Sequence, residues 1–290
     1  MTIWEVVENE INKNTHTDFR IINRKPVSGG DISESYCISD GTSRYFVKCN
    51  DAIFVGMFEA EANGLKALEQ ASQFKVPRMI AYGVAENQCY LILEYLDITN
   101  RISPKLLGEQ LAKLHTATNS QFGFYEDNFI GKTKQLNPWS DDWGEFFTHQ
   151  RIGFQISLLE EKGSSLHSKK EVIDFLSVLP EYLNKHQPTA SLVHGDLWQG
   201  NYGFTEGQAV LYDPACYFAD HEVDLAMLEL FGNPGEDFFK VYQDEFGIKQ
   251  GYSVRKKIYN LYHILNHANL FGGSYEQQAY EMVKAILTRF

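Results

Sequence analysis

One stretch of eight residues, His194-Gly195-Asp196-Leu197-Trp198-Gln199-Gly200-Asn201, constrains this chain more than any other part of its sequence. A second acidic turn, Asp213-Pro214-Ala215, begins twelve residues after the stretch ends. Short apolar segments at 191–193 and 209–212 precede the two turns and are typical of strands. We therefore expect a small hairpin in the second half of the chain that presents an acid, an amide and a second acid on its loops.

The spacing of these polar side chains suits phosphoryl transfer. Asp196 is placed to orient and deprotonate an attacking hydroxyl group, as the catalytic base. Asn201 and Asp213 offer the oxygen ligands that Mg²⁺ prefers, and a metal ion held there would bind nucleotide phosphates. His-Gly-Asp alone could be an ordinary turn. The full octapeptide with the second acid instead favours a site that uses ATP and Mg²⁺.

Composition limits the classes of partner. The 290 residues can bury a large core, and 20 Phe, 16 Tyr and 4 Trp argue against disorder. A net charge of −12 disfavours nucleic acid and anionic membranes as partners. The four cysteines are scattered, the N-terminus has no secretion signal, and no apolar run reaches the roughly 18 residues of a membrane span. We therefore expect a cytoplasmic protein.

The order of predicted elements divides the chain into two parts. Apolar periodicity predicts a helix over 1–14, strands near 19–27, 35–38 and 43–48, a helix over 58–70, and strands near 78–84 and 88–94. Beyond residue 97 the pattern is mainly helical, starting at Ser103-Pro104, which resembles a capped helix start. The prediction is an α+β fold with a small β-rich lobe at 1–96 and a larger helical lobe at 97–290.

The first lobe should then hold the nucleotide. Gly29 and Gly30 lie between two strands, where backbone N–H groups can approach phosphates closely. Lys48 ends an apolar strand and could bridge the phosphates. Its long side chain needs an acidic partner, and Glu61 is preferred to Glu59 because it precedes Ala62 on the apolar side of the helix. The alternative for each charged residue is an ordinary solvated side chain.

The strand that ends near Glu94 leads into the junction between the lobes. Glu94, Tyr95, Leu96 and Asp97 are placed to meet an adenine ring, whose edge their backbone groups would bind. Further along the chain, Asp224 begins an apolar helix and could accept backbone N–H bonds from the 194–201 loop, although a simple helix cap is equally consistent. His194 is expected to pack and form hydrogen bonds within that loop. Trp198 could shape a substrate pocket or belong to the core.

The order of glycines, lysine, helix glutamate, H-x-D-x-x-x-x-N and Asp is that of a kinase-like phosphotransferase. A six-residue glycine loop is missing, and H-G-D and D-P-A stand in place of H-R-D and D-F-G, which points away from protein kinases. The chain resembles the fructosamine kinase (ketosamine 3-kinase) family over roughly residues 18–275. The segments that carry the resemblance are Gly29-Gly30-Asp31-Ile32-Ser33, Tyr45-Phe46-Val47-Lys48, Asp142-Trp143-Gly144-Glu145-Phe146-Phe147 leading to Arg151, the octapeptide with its Trp198, Asp213-Pro214-Ala215-Cys216-Tyr217, Asp220-His221-Glu222-Val223-Asp224-Leu225-Ala226-Met227 and Leu270-Phe271-Gly272-Gly273.

The resemblance implies a protein-kinase-like fold of two lobes and ATP-dependent phosphorylation of the 3-hydroxyl of a sugar joined to an amine as a ketosamine. Free adducts and glycated proteins are both possible substrates, with deglycation as the expected role. The resemblance also favours a substrate role for Trp143 and Arg151, whereas helical periodicity places Trp143 in the core. His221 departs from the family, which commonly has Arg at this position. Two alternatives stay open: another small-molecule kinase of the same fold, or a catalytically silent nucleotide-binding module.

Overall fold

The computed structural model of the protein describes residues 1–27, 32–99, 101–205 and 207–290. Contacts between residues divide the chain into two compact units. Unit 1 comprises Met1–Gln70, Phe74–Ile102 and Gly200–Pro214, and unit 2 comprises Ala71–Gln73, Ser103–Gln199 and Ala215–Phe290. The predicted division at residue 96 stays a prediction. Among the described residues, no helix has both the length and the apolar character needed to span a membrane.

The secondary structure follows the predicted order. The first part of the chain contains α1 (Ile3–Thr15), β1 (Asn23–Pro26), β2 (Glu34–Ser39), β3 (Arg44–Asp51), α2 (Val55–Ala71), β4 (Met79–Ala85) and β5 (Gln88–Glu94). The second part contains α3 (Pro104–His115), β6 (Asn128–Ile130), β7 (Thr133–Gln135), α4 (Trp143–Phe146), α5 (Phe154–Glu161), α6 (Lys170–Asn184), β8 (Ser191–Val193), β9 (Tyr202–Thr205), β10 (Gln208–Leu211), β11 (Tyr217–Ala219), α7 (Glu222–Leu230), α8 (Glu236–Glu245), α9 (Tyr252–Phe271) and α10 (Tyr275–Leu287). Short 3₁₀ turns cover Ala52–Phe54 and Leu166–Ser168, and a π-helical segment, Phe147–Gly153, joins α4 to α5.

Unit 1 is built on an antiparallel sheet with the strand order β1-β2-β3-β5-β4. Helix α1 begins at a capping box in which Thr2 and Glu5 satisfy each other's backbone N–H groups. Its buried residues Ile3, Val7 and Ile11 recur every four positions and therefore form one apolar stripe, which packs into the core that lies along the sheet.

Strand alternation explains the position of Lys48. Tyr45, Val47 and Cys49 of β3 belong to the apolar core shared with α1. Because successive side chains of a strand point to opposite faces, Lys48 lies on the other face of the sheet. Glu61 on α2 contacts Lys48 there.

The hairpin of β9 and β10 is held in unit 1 by backbone hydrogen bonds. Lys75 pairs with Val210 as an isolated parallel bridge, in which its N–H donates to Ala209 and its carbonyl accepts from Leu211. The N–H of Thr99 donates to the carbonyl of Phe204 at 2.7 Å. These bonds anchor the hairpin, and with it Asn201 and Asp213 at its two ends, to unit 1.

Unit 2 is mainly helical. Helix α9 is 20 residues long and packs against α5, α7 and α10. Within the described residues, the three-residue strand β8 pairs with β11 in an antiparallel ladder that aligns Val193 with Tyr217, while β10 pairs with β9. The expected hairpin is therefore two separate ladders. Helix α3 begins at Pro104 with Ser103 as its N-cap residue, as predicted, but the side chain of Ser103 makes no capping hydrogen bond.

Candidate active site

Lys48 is the centre of a compact ionic cluster in unit 1. Its Nζ donates to both carboxylate oxygens of Glu61 at 2.8 and 3.0 Å and to Oδ1 of Asp213 at 2.6 Å. Glu59, which the sequence favoured less as the partner of Lys48, instead accepts a hydrogen bond from the hydroxyl of Tyr82. The structure thus brings together three residues that sequence reasoning assigned to one nucleotide site, although 165 positions separate Lys48 from Asp213.

Two carboxylates share one buried ammonium in this cluster. Burial of Lys48 disfavours its charge, but the carboxylates of Asp213 and Glu61 outweigh that effect and raise the pKa of Lys48 above its ordinary value. Burial raises the pKa of Glu61 to about 7, and the charge of Asp213 adds to the rise while Lys48 opposes it. One ammonium cannot neutralise two carboxylates. Because the side chain of Asp213 is 44% exposed, the remaining negative charge lies on the solvent-exposed side of the cluster, at Asp213.

The backbone at Asp213 is in an unusual conformation. Its φ angle of 56° lies in the left-handed region, which non-glycine residues rarely adopt and which is often found at functional sites. The preceding residue, Tyr212, donates its N–H to the carbonyl of Asn201 at 3.1 Å. Of the two predicted metal ligands, Asn201 therefore belongs to this hydrogen-bonded pair and Asp213 directly follows it, at the open end of the β9–β10 hairpin.

The other predicted nucleotide residues divide into two groups. Gly29 and Gly30 lie outside the residues that the structure describes. At the end of β5, the carboxylate of Glu94 accepts from Lys75 Nζ at 3.1 Å. Arg44 donates to Asp97 at 2.6 Å and lies over the ring of Tyr95, while the carbonyl of Leu96 accepts from Ile98. The side chains of Glu94 and Asp97 are therefore engaged in ion pairs, which fits a segment that would bind a base through its backbone.

Asp196, the predicted catalytic base, lies on the loop after β8 in unit 2. Its N–H donates to Nδ1 of His194 at 3.3 Å. Between them, Gly195 has a φ angle of 83°, and a Cβ built there would lie 2.1 Å from the carbonyl oxygen of Ala215. The close approach belongs to a clasp in which the N–H of Ala215 donates to the carbonyl of His194 at 2.9 Å. Glycine is required at 195 for both reasons, which accounts for H-G-D in place of H-R-D.

Asp224 holds the backbone of that loop. It is completely buried on α7, and its two oxygens accept the N–H groups of His194 at 2.7 Å and Gly195 at 2.9 Å. Burial alone would raise the pKa of Asp224, but the hydrogen bond from His115 and the N–H of His194 outweigh it and lower the pKa. The carboxylate lies in the first turn of α7 and is not its N-cap. Its contacts therefore correspond to loop support, the first of the two roles considered from sequence.

His115 belongs to the site but was not among the residues that the sequence predicted there. It is fully buried, with Nε2 3.3 Å from Asp224 Oδ2 and Nδ1 2.6 Å from the hydroxyl of Tyr242. These contacts join α3, α7 and α8 behind the loop. Because both partners are more than 100 positions away, they leave no local pattern in the sequence. Only the helical spacing of His115 could have indicated that it is buried.

His221 lies beside this group, in a largely aromatic surrounding. Its ring is 4.7 Å from that of Phe246, and its Nδ1 is 3.5 Å from Oδ1 of Asp220. Burial lowers the pKa of His221 to about 4, so the ring is neutral at pH 7. Asp220 also accepts hydrogen bonds from His186 and from the hydroxyl of Tyr259. A neutral ring thus occupies the position at which the sequence resemblance led us to expect Arg.

The three predicted substrate residues are placed differently. Trp143 is 1% exposed and donates from Nε1 to the hydroxyl of Tyr259. Arg151 is completely buried and donates to the carbonyl of Leu136 at 2.6 Å. Both side chains are enclosed in the core of unit 2, as periodicity indicated for Trp143, and they are left out of the proposed site. Trp198 is half-buried, and its backbone N–H donates to the carbonyl of Asp196.

Comparison with known proteins gives the family. The model of the fructosamine kinase family matches residues 3–289 of this chain. The chain belongs to the fructosamine kinase family. A relative in Synechocystis, named a probable ketoamine kinase, is 45% identical over 288 residues, which cover 98% of this chain and 97% of the relative. A rice relative, named a chloroplastic protein-ribulosamine 3-kinase, is 36% identical over 265 residues, which cover 89% of this chain and 76% of the relative.

Solved structures agree with this assignment. A crystal structure from Haemophilus somnus, provisionally assigned as a fructosamine-3-kinase, has a TM-score of 0.89 and 29% identity, and the match covers 98% of this chain and 97% of the other. The aminoglycoside phosphotransferase APH(4)-Ia shares the fold alone, with a TM-score of 0.64 and 15% identity over 99% of each chain. The predicted protein-kinase-like α+β fold is therefore confirmed. The predicted class of enzyme, an ATP-dependent phosphotransferase with an alcohol acceptor, is also confirmed at the level of the family.

Proposed function

We propose that this chain transfers the terminal phosphoryl group of ATP to the 3-hydroxyl of a ketosamine, a ribulose or fructose unit joined to an amine. The acceptor would be a small adduct or a glycated protein, and the role would be deglycation. The observation that supports the proposal most is the cluster of Lys48, Glu61 and Asp213, together with membership of the fructosamine kinase family. A buried ammonium with a fixed direction is the group that such an enzyme needs next to nucleotide phosphates.

The donor set fits Mg-ATP. Lys48 is fixed by Glu61, and Asp213 leaves a partly exposed carboxylate beside it. Asn201 adds an amide, and a carboxylate oxygen together with an amide oxygen is a donor set that suits a hard cation. When bound, Mg²⁺ supplies charge neutralisation for the phosphates. Lys48, Asn201 and Asp213 would hold the phosphates and the metal, and the backbone at 94–97 would bind the base.

Asp196 would orient the acceptor hydroxyl and accept its proton. A carboxylate does this well only if its position is fixed, because most of the rate in phosphoryl transfer comes from positioning and charge stabilisation. The backbone beside Asp196 is fixed by the carboxylate of Asp224 and by the clasp between His194 and Ala215. Asp224 and His115 are therefore positioning residues in this proposal.

The test compares the wild type with Asp196→Asn on a panel of acceptors, with ADP release as the readout. Ribulose-lysine and fructose-lysine represent the proposed substrates, and an aminoglycoside and choline represent the rival kinases. We expect ketosamine-dependent ADP release by the wild type only, while both proteins bind Mg-ATP with similar affinity. Asp244→Asn, which changes an exposed acid on α8, is the matched control and should behave as the wild type.

Each rival predicts a different outcome. Activity on the aminoglycoside or choline without activity on ketosamines would replace the proposed acceptor. Nucleotide binding without turnover of any acceptor would favour the silent module. Full activity of Asp196→Asn would remove Asp196 from the role of base.

A further inference from the structure

Five aromatic side chains form a continuous patch in unit 2 that the proposed mechanism does not use. We call it the aromatic patch, and it consists of Trp198, Phe231, His267, Phe271 and Tyr275. The ring of Phe231 lies 6.1 Å from that of Trp198 and 5.5 Å from that of His267. His267 is in turn 5.6 Å from Phe271 and 5.2 Å from Tyr275. The patch thus begins on the proposed catalytic loop, two residues after Asp196, and extends outward from it.

The local sequence builds this arrangement. His267 and Phe271 are four residues apart on α9 and therefore lie on one side of the helix. Gly272 and Gly273 follow with φ angles of 64° and 66°, a left-handed pair that ends the helix abruptly. The chain then reverses into α10, and its first residue, Tyr275, comes back beside His267.

The patch is exposed in a way that core aromatics are not. Phe271 is 56% exposed and Phe231 is 43% exposed. Large apolar side chains scattered singly on a surface are ordinary, but a contiguous exposed group marks a binding surface. Because this group is continuous with the proposed catalytic loop, the molecule best placed to cover it is the acceptor itself.

The chemistry of the patch favours a cation. The patch contains no carboxylate and no Lys or Arg, and its ring faces are π surfaces, which attract ammonium groups. Nδ1 of His267 is buried and has no hydrogen-bond partner among the described residues. Burial also lowers the pKa of His267, so the ring stays neutral at pH 7 and does not repel a cation. A ketosamine differs from a free sugar in having such a group, because its linking nitrogen is a protonated secondary amine at neutral pH.

We propose that the aromatic patch is a subsite for the amine half of the acceptor and that it binds the protonated linking nitrogen and its substituent against the rings of Phe231 and Phe271. This inference rests on the proposed ketosamine kinase function. It adds a basis for selectivity: the patch would favour charged adducts over sugars whose nitrogen is neutral, through binding rather than through the phosphoryl-transfer step.

The experiment uses two acceptors with the same sugar and different charge on the nitrogen. One is a fructosyl alkylamine, and the other is its N-acetyl derivative, which is uncharged. We expect Phe271→Ala and Phe231→Ala to lower kcat/KM for the charged acceptor about 3- to 10-fold, mainly through KM, as expected for loss of a cation–π contact. The same substitutions should change kcat/KM for the uncharged acceptor by less than about twofold. Phe290→Ala is the matched control, because Phe290 is 42% exposed and packs elsewhere, on Tyr182 and Phe175.

Two variants that place opposite charges at one position make the test more specific. Phe271→Lys and Phe271→Glu both remove the ring from an exposed site, so both should fold. The Lys variant should lose further activity on the charged acceptor, and the Glu variant should retain or regain it. Equal effects of the two variants, or equal losses on both acceptors, would overturn the subsite. A loss of activity that accompanies a change in oligomeric state would assign the patch to contacts between copies of the chain instead.

Failure of the subsite and failure of the proposed function are distinguishable. If the wild type phosphorylates ketosamines but the patch variants treat both acceptors alike, only the subsite is refuted. If the wild type phosphorylates no ketosamine, both are refuted.

Discussion

Replacing Asp224 by Asn tests how the proposed catalytic loop is held. The two oxygens of Asp224 accept backbone N–H groups at 2.7 and 2.9 Å in a fully buried site. Asparagine offers one acceptor oxygen and turns an NH₂ group toward the other N–H, so one charged hydrogen bond is lost and a donor is left buried. A hydrogen bond to a charged group contributes about 1.5–3 kcal/mol, and the unsatisfied donor adds to the loss. We expect the free energy of unfolding to fall by about 3 kcal/mol.

The same substitution should slow the reaction. The backbone that Asp224 holds carries Asp196, and a displacement of about 1 Å of a catalytic group can cost about 100-fold in rate. We therefore expect kcat to fall about 100-fold while the affinity for Mg-ATP, whose proposed ligands lie in unit 1, stays within about twofold. Urea unfolding gives the stability, and ADP release at a temperature where the variant is folded gives kcat.

The control is Asp244→Asn, which makes the same chemical change at an exposed helix position. It should alter stability by less than about 0.5 kcal/mol and leave kcat unchanged. A variant Asp224→Asn as stable as this control would refute the role of Asp224 in holding the loop. It would also be refuted if the variant lost about 3 kcal/mol of stability but kept full kcat, because the loop would then not depend on Asp224 for its working position.

Three further predictions follow from single contacts. Lys48→Met leaves the carboxylates of Glu61 and Asp213 without their buried cation; kcat/KM for ATP should fall about 100- to 1,000-fold in initial-rate assays, and a change below tenfold would argue against a phosphate role. Gly195→Ala places a methyl group against the Ala215 carbonyl at a left-handed φ angle; thermal unfolding should show a loss of more than about 2 kcal/mol, and a wild-type midpoint would contradict the close approach. The His221 ring is neutral because burial lowers its pKa from 6.5 to about 4, so the unfolded chain binds more protons in this window and stability falls as pH drops from 6.5 towards 4. The contribution at pH 5 is about 2 kcal/mol. Between pH 7 and pH 5, the free energy of unfolding of His221→Phe in urea titrations should therefore fall by about 2 kcal/mol less than that of the wild type. Equal decreases in the two proteins would refute the neutral ring.

Sequence periodicity and motif order were sufficient to predict the parts of the site that depend on local sequence. The alternation of β3 and the amphipathic pattern of α2 fix the directions of Lys48 and Glu61 before any tertiary contact is known. Position before a buried alanine does not by itself distinguish Glu61 from Glu59, because Ala60 is buried as well as Ala62. The ion pair with Lys48 distinguishes Glu61. Most of the element order of unit 1 could be predicted for the same reason, since α1, α2, β3 and β5 have buried apolar residues in a regular pattern. Strand β1 is an exception, because its four residues are all exposed.

The features that sequence missed depend on long-range contacts. Strand β8 has only three residues, too few to indicate whether its partner is β10 or β11. His115 gains its position behind the catalytic loop from Asp224 and Tyr242, more than 100 residues away. The aromatic patch likewise combines residues from the catalytic loop and the ends of three helices, each of which looks unremarkable in its own segment.

Family resemblance and burial gave different answers for Arg151. The guanidinium lies 4.1 Å from the ring centroid of Tyr217 and donates to a backbone carbonyl, so the charge is accommodated inside the core. A motif shared within a family can therefore reflect packing as well as substrate binding, and only the structure separates the two for a residue of this type.

The position of the transferred phosphate is the most direct test of the proposed reaction. Wild-type protein would be incubated with fructose-lysine and Mg-ATP, and the product analysed by ³¹P and ¹³C nuclear magnetic resonance. We predict a single phosphate ester whose phosphorus couples to carbon 3 of the sugar and its neighbours, with no product from Asp196→Asn. A phosphate on any other oxygen of the sugar, or on the amine component, would contradict the account.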